Sequence, residues 1–103
     1  MNRDEGLHIA RQVKTLLLEH GYPVLRVVLF GSVAKNTAHQ HSDIDLAVVT
    51  NSFHSSVMEE RVDIHLASMT IDPRIETVTL RPEDFDRPFF TLAREIEKTG
   101  VEV

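Results

Sequence analysis

The chain has 103 residues, 42% of them hydrophobic, and a formal net charge of −5 at pH 7. That length supports one small core and predicts a single domain over residues 1–103. The absence of cysteine excludes disulfides and thiolate metal sites and suits a reducing cytoplasm. The acidic balance argues against an extended nucleic-acid footprint, and apolar runs no longer than Val27–Phe30 argue against a membrane span or signal peptide.

Ile9, Val13, Leu16 and Leu17 recur at helical spacing, Asn2 or Asp4 can cap the start, and Gly21 with Pro23 ends the run. Val24–Phe30 is apolar except for Arg26 and reads as a strand covered on both faces. Gly31-Ser32 ends it, followed by a short helical turn at most and then a polar loop to Ser42. Asp43–Thr50 reads as the second strand. Ser56-Val57-Met58-Glu59 has capping-box spacing, and Met58, Val62, Leu66 and Met69 follow as the expected apolar face of a helix. A third strand is expected from near Ile71 to about Leu80, beginning at Pro73 or lying at an edge, because proline cannot donate to a ladder. Arg81-Pro82-Glu83-Asp84 resembles a turn into a helical turn. Phe89, Leu92, Ala93 and Ile96 predict a last helix stopped at Gly100, with Phe89-Phe90 in the core or on a partner surface. The expected architecture is α/β (α+β): a small mixed three-stranded sheet with helices packed on it.

The chemistry concentrates in Gly31-Ser32, ten further residues, and Asp43-Ile44-Asp45. On a strand, Asp43 and Asp45 point to one face, about 7 Å apart. Two unpaired carboxylates repel, and Mg²⁺, which takes oxygen ligands and substrate phosphates, would neutralise them. A glycine at a sharp turn lets the backbone approach a phosphate, and the Ser32 hydroxyl and turn amides can donate to it. A two-metal site asks for one more carboxylate from a neighbouring strand. Asp72 is favoured, Asp63 is the rival on a helix, and Glu76 is a third option. Arg74 is expected to pair with Asp72. Lys35 meets a phosphate or stays on the surface. His39 and His41 read as solvated loop residues rather than metal ligands. The bland alternative is an ordinary turn beside a strand end with solvated acids.

Phe30-Gly31-Ser32, the ten-residue spacer and Ser42-Asp43-Ile44-Asp45-Leu46 together resemble the signature of the DNA polymerase beta-like nucleotidyltransferases, above all the minimal nucleotidyltransferases. Ile71–Glu76, Arg81–Phe85 and Lys98–Val101 also look like later parts of some of these proteins. The resemblance implies an Mg²⁺-dependent enzyme, with two ions and ATP as substrate, moving AMP onto a hydroxyl. Asp43, Asp45 and Asp72 would be catalytic and metal-binding; Gly31, Ser32, Lys35 and Ser42 would contact the nucleotide. The family commonly has an Arg-Ala-Arg-Gly-like stretch where this chain has Val33-Ala34-Lys35-Asn36, which leaves one positive charge and an Asn able to adopt positive φ. The group often acts as antitoxins paired with helical HEPN-type toxins, so the implied acceptor is a toxin tyrosine; a homo-oligomer is the other expected partner. The competing reading is a binding module that neutralises its partner by occlusion. A small-molecule nucleotidyltransferase stands third.

Overall fold

The computed structural model describes all 103 residues. Its elements run α1 (Arg3–Glu19), β1 (Val24–Phe30), α2 (Gly31–Ala34), β2 (Ile44–Thr50), α3 (Val57–Met69), β3 (Ile75–Leu80), a 3₁₀ turn (Pro82–Asp86), α4 (Thr91–Thr99) and β4 (Val101–Glu102). The α/β class and mixed sheet are as expected, but the sheet has four strands, in the order β3-β2-β1-β4. β1 is antiparallel to both β2 and β4, whereas β2 and β3 are parallel. The extra strand follows directly from Gly100, where the expected stop releases two residues to pair with Val28 and Leu29.

The Asn2 side chain accepts from Glu5 N–H and caps α1, whose buried line is Gly6, Ala10, Val13 and Leu17. Gly21 takes φ +80° to end the helix. The main core lies between the sheet and the α1/α3 layer and includes Val27, Leu29, Leu46, Val48, Ile64 and Ile75. The other sheet face carries a smaller cluster of Val28, Phe30, Ala47, Leu80 and Ile96, covered in part by α4. That smaller cover leaves room for a site on the α4 side.

Two expectations about packing fail. Helix α3 begins after Ser56 as read, but Ser56 makes no side-chain capping bond. Its buried line is Glu60, Ile64 and Ser68, while Met58, Val62 and Leu66 are exposed. A buried carboxylate displaced the apolar stripe from the core, because Glu60 finds a partner in Arg81. Phe89 is 95% exposed and precedes the last helix; only Phe90 reaches the smaller cluster. The third strand starts after Pro73 and lies at the sheet edge, so Ile71 and Asp72 belong to the preceding turn.

Candidate active site

Strand alternation and register assemble the acids. Asp45 sits opposite Phe30 on β1 and Glu76 on β3, so three neighbouring strands meet at one level. Asp45 shares its face with Ala47, and Glu76 shares its face with Val78 and Leu80, both on the α4 side. Asp43 precedes β2 by one residue and is exposed. Burial first, then the charges of Asp43, Glu76 and Glu95, push the Asp45 carboxyl above the usual carboxylate range. None of the ion pairs involves any of these four acids.

Gly31 holds the roof of this cluster. It takes φ +75°, and a Cβ there would collide with Asp45 Oδ2. Only glycine lets the turn lie against the carboxylate. Ser32 follows Gly31 in the single turn of α2 and is half-buried. No side chain caps that turn, so its first amides remain free to donate. The turn is tied down from behind: Asn36, at φ +62°, accepts from Arg3 N–H at 2.9 Å, and Arg3 Nε donates to the Ala34 carbonyl at 2.6 Å. Lys35 caps the turn and is exposed. Ser42 Oγ accepts from His39 N–H at 2.7 Å and so closes the loop that leads into Asp43. His39 and His41 are exposed in that loop.

The structure brings Gly31, Asp43 and Asp45 together, with Ser32 next in the turn, and ties Asp72 to Arg74 instead. Asp72 lies in the turn before β3 and accepts from Arg74 Nε at 3.0 Å and Nη2 at 2.8 Å, the ion pair expected for Arg74. The Arg74 bond, against some burial, holds the Asp72 carboxyl below its ordinary range. Asp63 pairs with His54 at 2.5 Å and acts on Tyr22, at the opposite end of the sheet. Glu76 takes the position beside Asp45. The signal for it was present: Ile44-Asp45 and Ile75-Glu76 are the same pair of residue types at the same register once the strand starts after Pro73. Glu95 on α4 had no such signal, because its role depends on how α4 crosses the sheet.

An all-carboxylate set without cationic partners suits a hard divalent cation. As placed, no three His, Asp or Glu side chains stand close enough to share one ion, so closing the set requires rotamer changes of exposed acids. The largest concavity, about 640 Å³ between α1 and Ile71, includes none of these residues. Charge and backbone approach, not depth, mark the site. No helix is long and apolar enough to cross a membrane.

The nucleotidyltransferase domain family matches residues 10–99. No curated protein matches the sequence significantly. Among solved structures, one described as a minimal nucleotidyltransferase is 21% identical, with 100% of this chain and 97% of that chain covered and a TM-score of 0.69. A toxin–antitoxin crystal structure with AMP-PNP is 18% identical over 90% of this chain and 70% of that chain, at a TM-score of 0.64. A complex of a tri-AMPylated Shewanella oneidensis HEPN toxin with an MNT antitoxin is 14% identical over 94% of this chain and 70% of that chain, at a TM-score of 0.58. These structures share the fold found here, and the match across residues 10–99 carries the conclusion: the chain belongs to the nucleotidyltransferase domain family.

Proposed function

We propose that this protein transfers AMP from ATP to a hydroxyl of a partner protein, in the manner of an antitoxin that modifies a HEPN-type toxin at a tyrosine. One observation carries the reading: Asp45, lying against Gly31, has Glu76 beside it on β3 and the charge of Asp43 nearby, with none of the ion pairs offsetting them. The toxin–antitoxin complexes of the same fold, one with AMP-PNP and one with an AMPylated toxin, support the choice of nucleotide and acceptor.

Asp43, Asp45 and Glu76 would hold Mg²⁺, with Glu76 taking the part first expected of Asp72. Bound there, Mg²⁺ would neutralise charge on the transferring phosphoryl group. The amides of the Gly31-Ser32 turn and the Ser32 hydroxyl donate to phosphate oxygens, and Lys35 can swing toward them from the surface. Ser42 acts one step back, by fixing the loop that carries Asp43. Such a site works by positioning and electrostatics rather than by covalent catalysis.

The test is calorimetry with ATP, with and without Mg²⁺, followed by intact-mass measurement of a HEPN-type partner. Mg²⁺-dependent ATP binding and AMP-sized mass steps are expected, both lost in Asp43→Ala/Asp45→Ala. Neutralisation of the partner without a mass change, equally by wild type and the double variant, would replace this reading with occlusion.

A further inference from the structure

The two edges of the sheet differ. On one side β4 is only two residues long, and Val103 N–H adds a bond to the Val27 carbonyl. On the other, β3 runs for six residues, pairs only with β2, and keeps an unbroken register from Ile75 to Leu80. Natural edges are usually blunted by proline, lysine, a bulge or brevity. Ile75-Glu76-Thr77-Val78-Thr79-Leu80 has none of these, and its one charge belongs to the acid cluster.

The phase of the ladder says which backbone groups are free. Ile44 N–H donates to the Arg74 carbonyl. In a parallel ladder, Glu76, Val78 and Leu80 therefore also turn their backbone groups toward β2, and Thr77 and Thr79 turn theirs outward, the first half-buried and the second only 8% exposed. Two concavities of about 320 and 270 Å³ follow this edge and share Arg61 and Thr77. The first is bounded by Glu76, Val62 and Leu66; the second by Phe90 and Leu92. Together they form a track from the acid cluster to the start of α4. Its α3 wall is open and mixed: Val62, 46% exposed, and Leu66, 59% exposed, alternate with Arg61 and His65.

We infer that the free edge of β3 receives an extended segment of the acceptor polypeptide as a fifth strand, which carries its hydroxyl to the carboxylates. This rests on the transfer reading above. The occupant is set by chemistry: outward N–H and C=O groups in alternation are complemented by another backbone, and the apolar residues of the walls take alternate side chains. The track opens at Glu76, directly beside Asp45. A strand laid there would present a side-chain oxygen toward the α-phosphorus of a nucleotide bound against Gly31 and Ser32. The acceptor oxygen bonds that phosphorus, the bond to the bridging α–β oxygen breaks, pyrophosphate leaves with its electron pair, and the hydroxyl proton passes to a carboxylate. A second copy of this chain would instead pair β3 with β3 and close both tracks.

The probe is a positional library of short linear peptides, each with one tyrosine, given to the full chain with ATP and Mg²⁺. AMP incorporation is read by mass, and amide hydrogen exchange is followed with the best peptide. Accepted peptides should carry apolar residues at alternate positions, and exchange at Thr77 and Thr79 should slow by about tenfold or more on binding. N-methylation of the pairing peptide amides, or Thr77→Pro, which removes an outward N–H without breaking a ladder bond to β2, should weaken peptide binding about tenfold or more. Thr77→Val should bind peptide normally, and both variants should bind ATP normally. The inference is overturned if ATP and Mg²⁺ bind but no peptide does, if an accepted peptide leaves these amides unprotected, or if they become protected by raising protein concentration alone. Absence of ATP binding would instead defeat the transfer reading, and this inference with it.

Discussion

Asp45 near the start of β2 and Glu60 beside its end are both carboxylates drawn away from bulk water, yet they meet opposite company. Glu60 is fully buried, and its Oε2 accepts from Arg81 Nη2 at 2.9 Å and from Phe53 N–H at 3.0 Å. Arg81 also reaches the Thr50 carbonyl at 3.2 Å. Burial pushes the Glu60 carboxyl up, but the Arg81 and Phe53 bonds outweigh it and hold the group below its ordinary value. At Asp45, burial and the neighbouring charges all push the same way, upward. One end of the strand is closed by a satisfied ion pair. The other keeps an uncompensated cluster that only something outside the chain can neutralise.

The sharpest way to break that contrast is to give Glu60 the predicament of Asp45. Arg81→Met leaves the carboxylate buried and unpaired and should destabilise the fold by about 3–5 kcal/mol in denaturant titration. The Glu60→Leu/Arg81→Met double variant should recover most of that loss. A single-variant cost below about 1 kcal/mol would show that the pair is no lock.

The next comparison is between two acids four residues apart: Glu76, which faces Asp45, and Asp72, which pairs with Arg74. Glu76→Gln should lower AMP transfer by roughly 10²–10³-fold, because several kcal/mol of charge stabilisation depend on the metal it would help hold. Asp72→Asn should leave transfer within about tenfold of wild type. Its signature is acid stability. The folded Asp72 titrates below its unfolded value, so its contribution is present above the unfolded pKa and is lost as pH falls through the folded one. The Asn variant should lack that acid-side decline. A large loss of transfer in Asp72→Asn with little in Glu76→Gln would restore Asp72 as the third ligand.

This pair also shows what the sequence could and could not reveal. β1, β2 and the Gly31-Ser32 turn were legible because apolar runs and a glycine-marked turn act locally. Asp43 and Asp45 needed only period-two alternation. Choosing Asp72 over Glu76 required knowing where β3 starts, and Pro73 shifts that start by two residues beyond itself. The face of α3 was misread for a different reason. Helical periodicity finds the apolar stripe of Met58, Val62 and Leu66, but the buried line is set by Glu60 meeting Arg81, 21 residues later in the chain. β4 was invisible because two residues carry no period at all; only the neighbouring edge of β1 makes them a strand.

A smaller effect separates two glycines with the same backbone. Gly21 at φ +80° has open space where a Cβ would stand, whereas Gly31 at φ +75° has Asp45 Oδ2 there. Both Gly→Ala changes should cost about 1–2 kcal/mol of stability through the left-handed conformation. Only Gly31→Ala should also weaken Mg²⁺-dependent ATP binding, since its methyl displaces the carboxylate. Equal ATP binding by the two variants would separate Asp45 from the nucleotide.

The smallest expected effect concerns the sign of Asp45's contribution to folding. Its folded pKa lies above the unfolded value near 3.8, so the folded state holds the proton more tightly. Stability then falls as pH rises from about the unfolded pKa through the folded one, and the loss persists at neutral pH. This is the reverse of Glu60, whose pairing stabilises the fold above its unfolded pKa and fails as pH falls. Asp45→Asn should therefore match wild type at low pH and exceed it modestly at neutral pH, as read from denaturant midpoints without divalent ions. Added Mg²⁺ should narrow or reverse the gap, because a cation that binds the native carboxylates stabilises wild type through linkage. Wild type more stable than Asp45→Asn at neutral pH with chelator present would mean that Asp45 is already paired within the fold, and the acid cluster would then have no unmet charge to offer a metal.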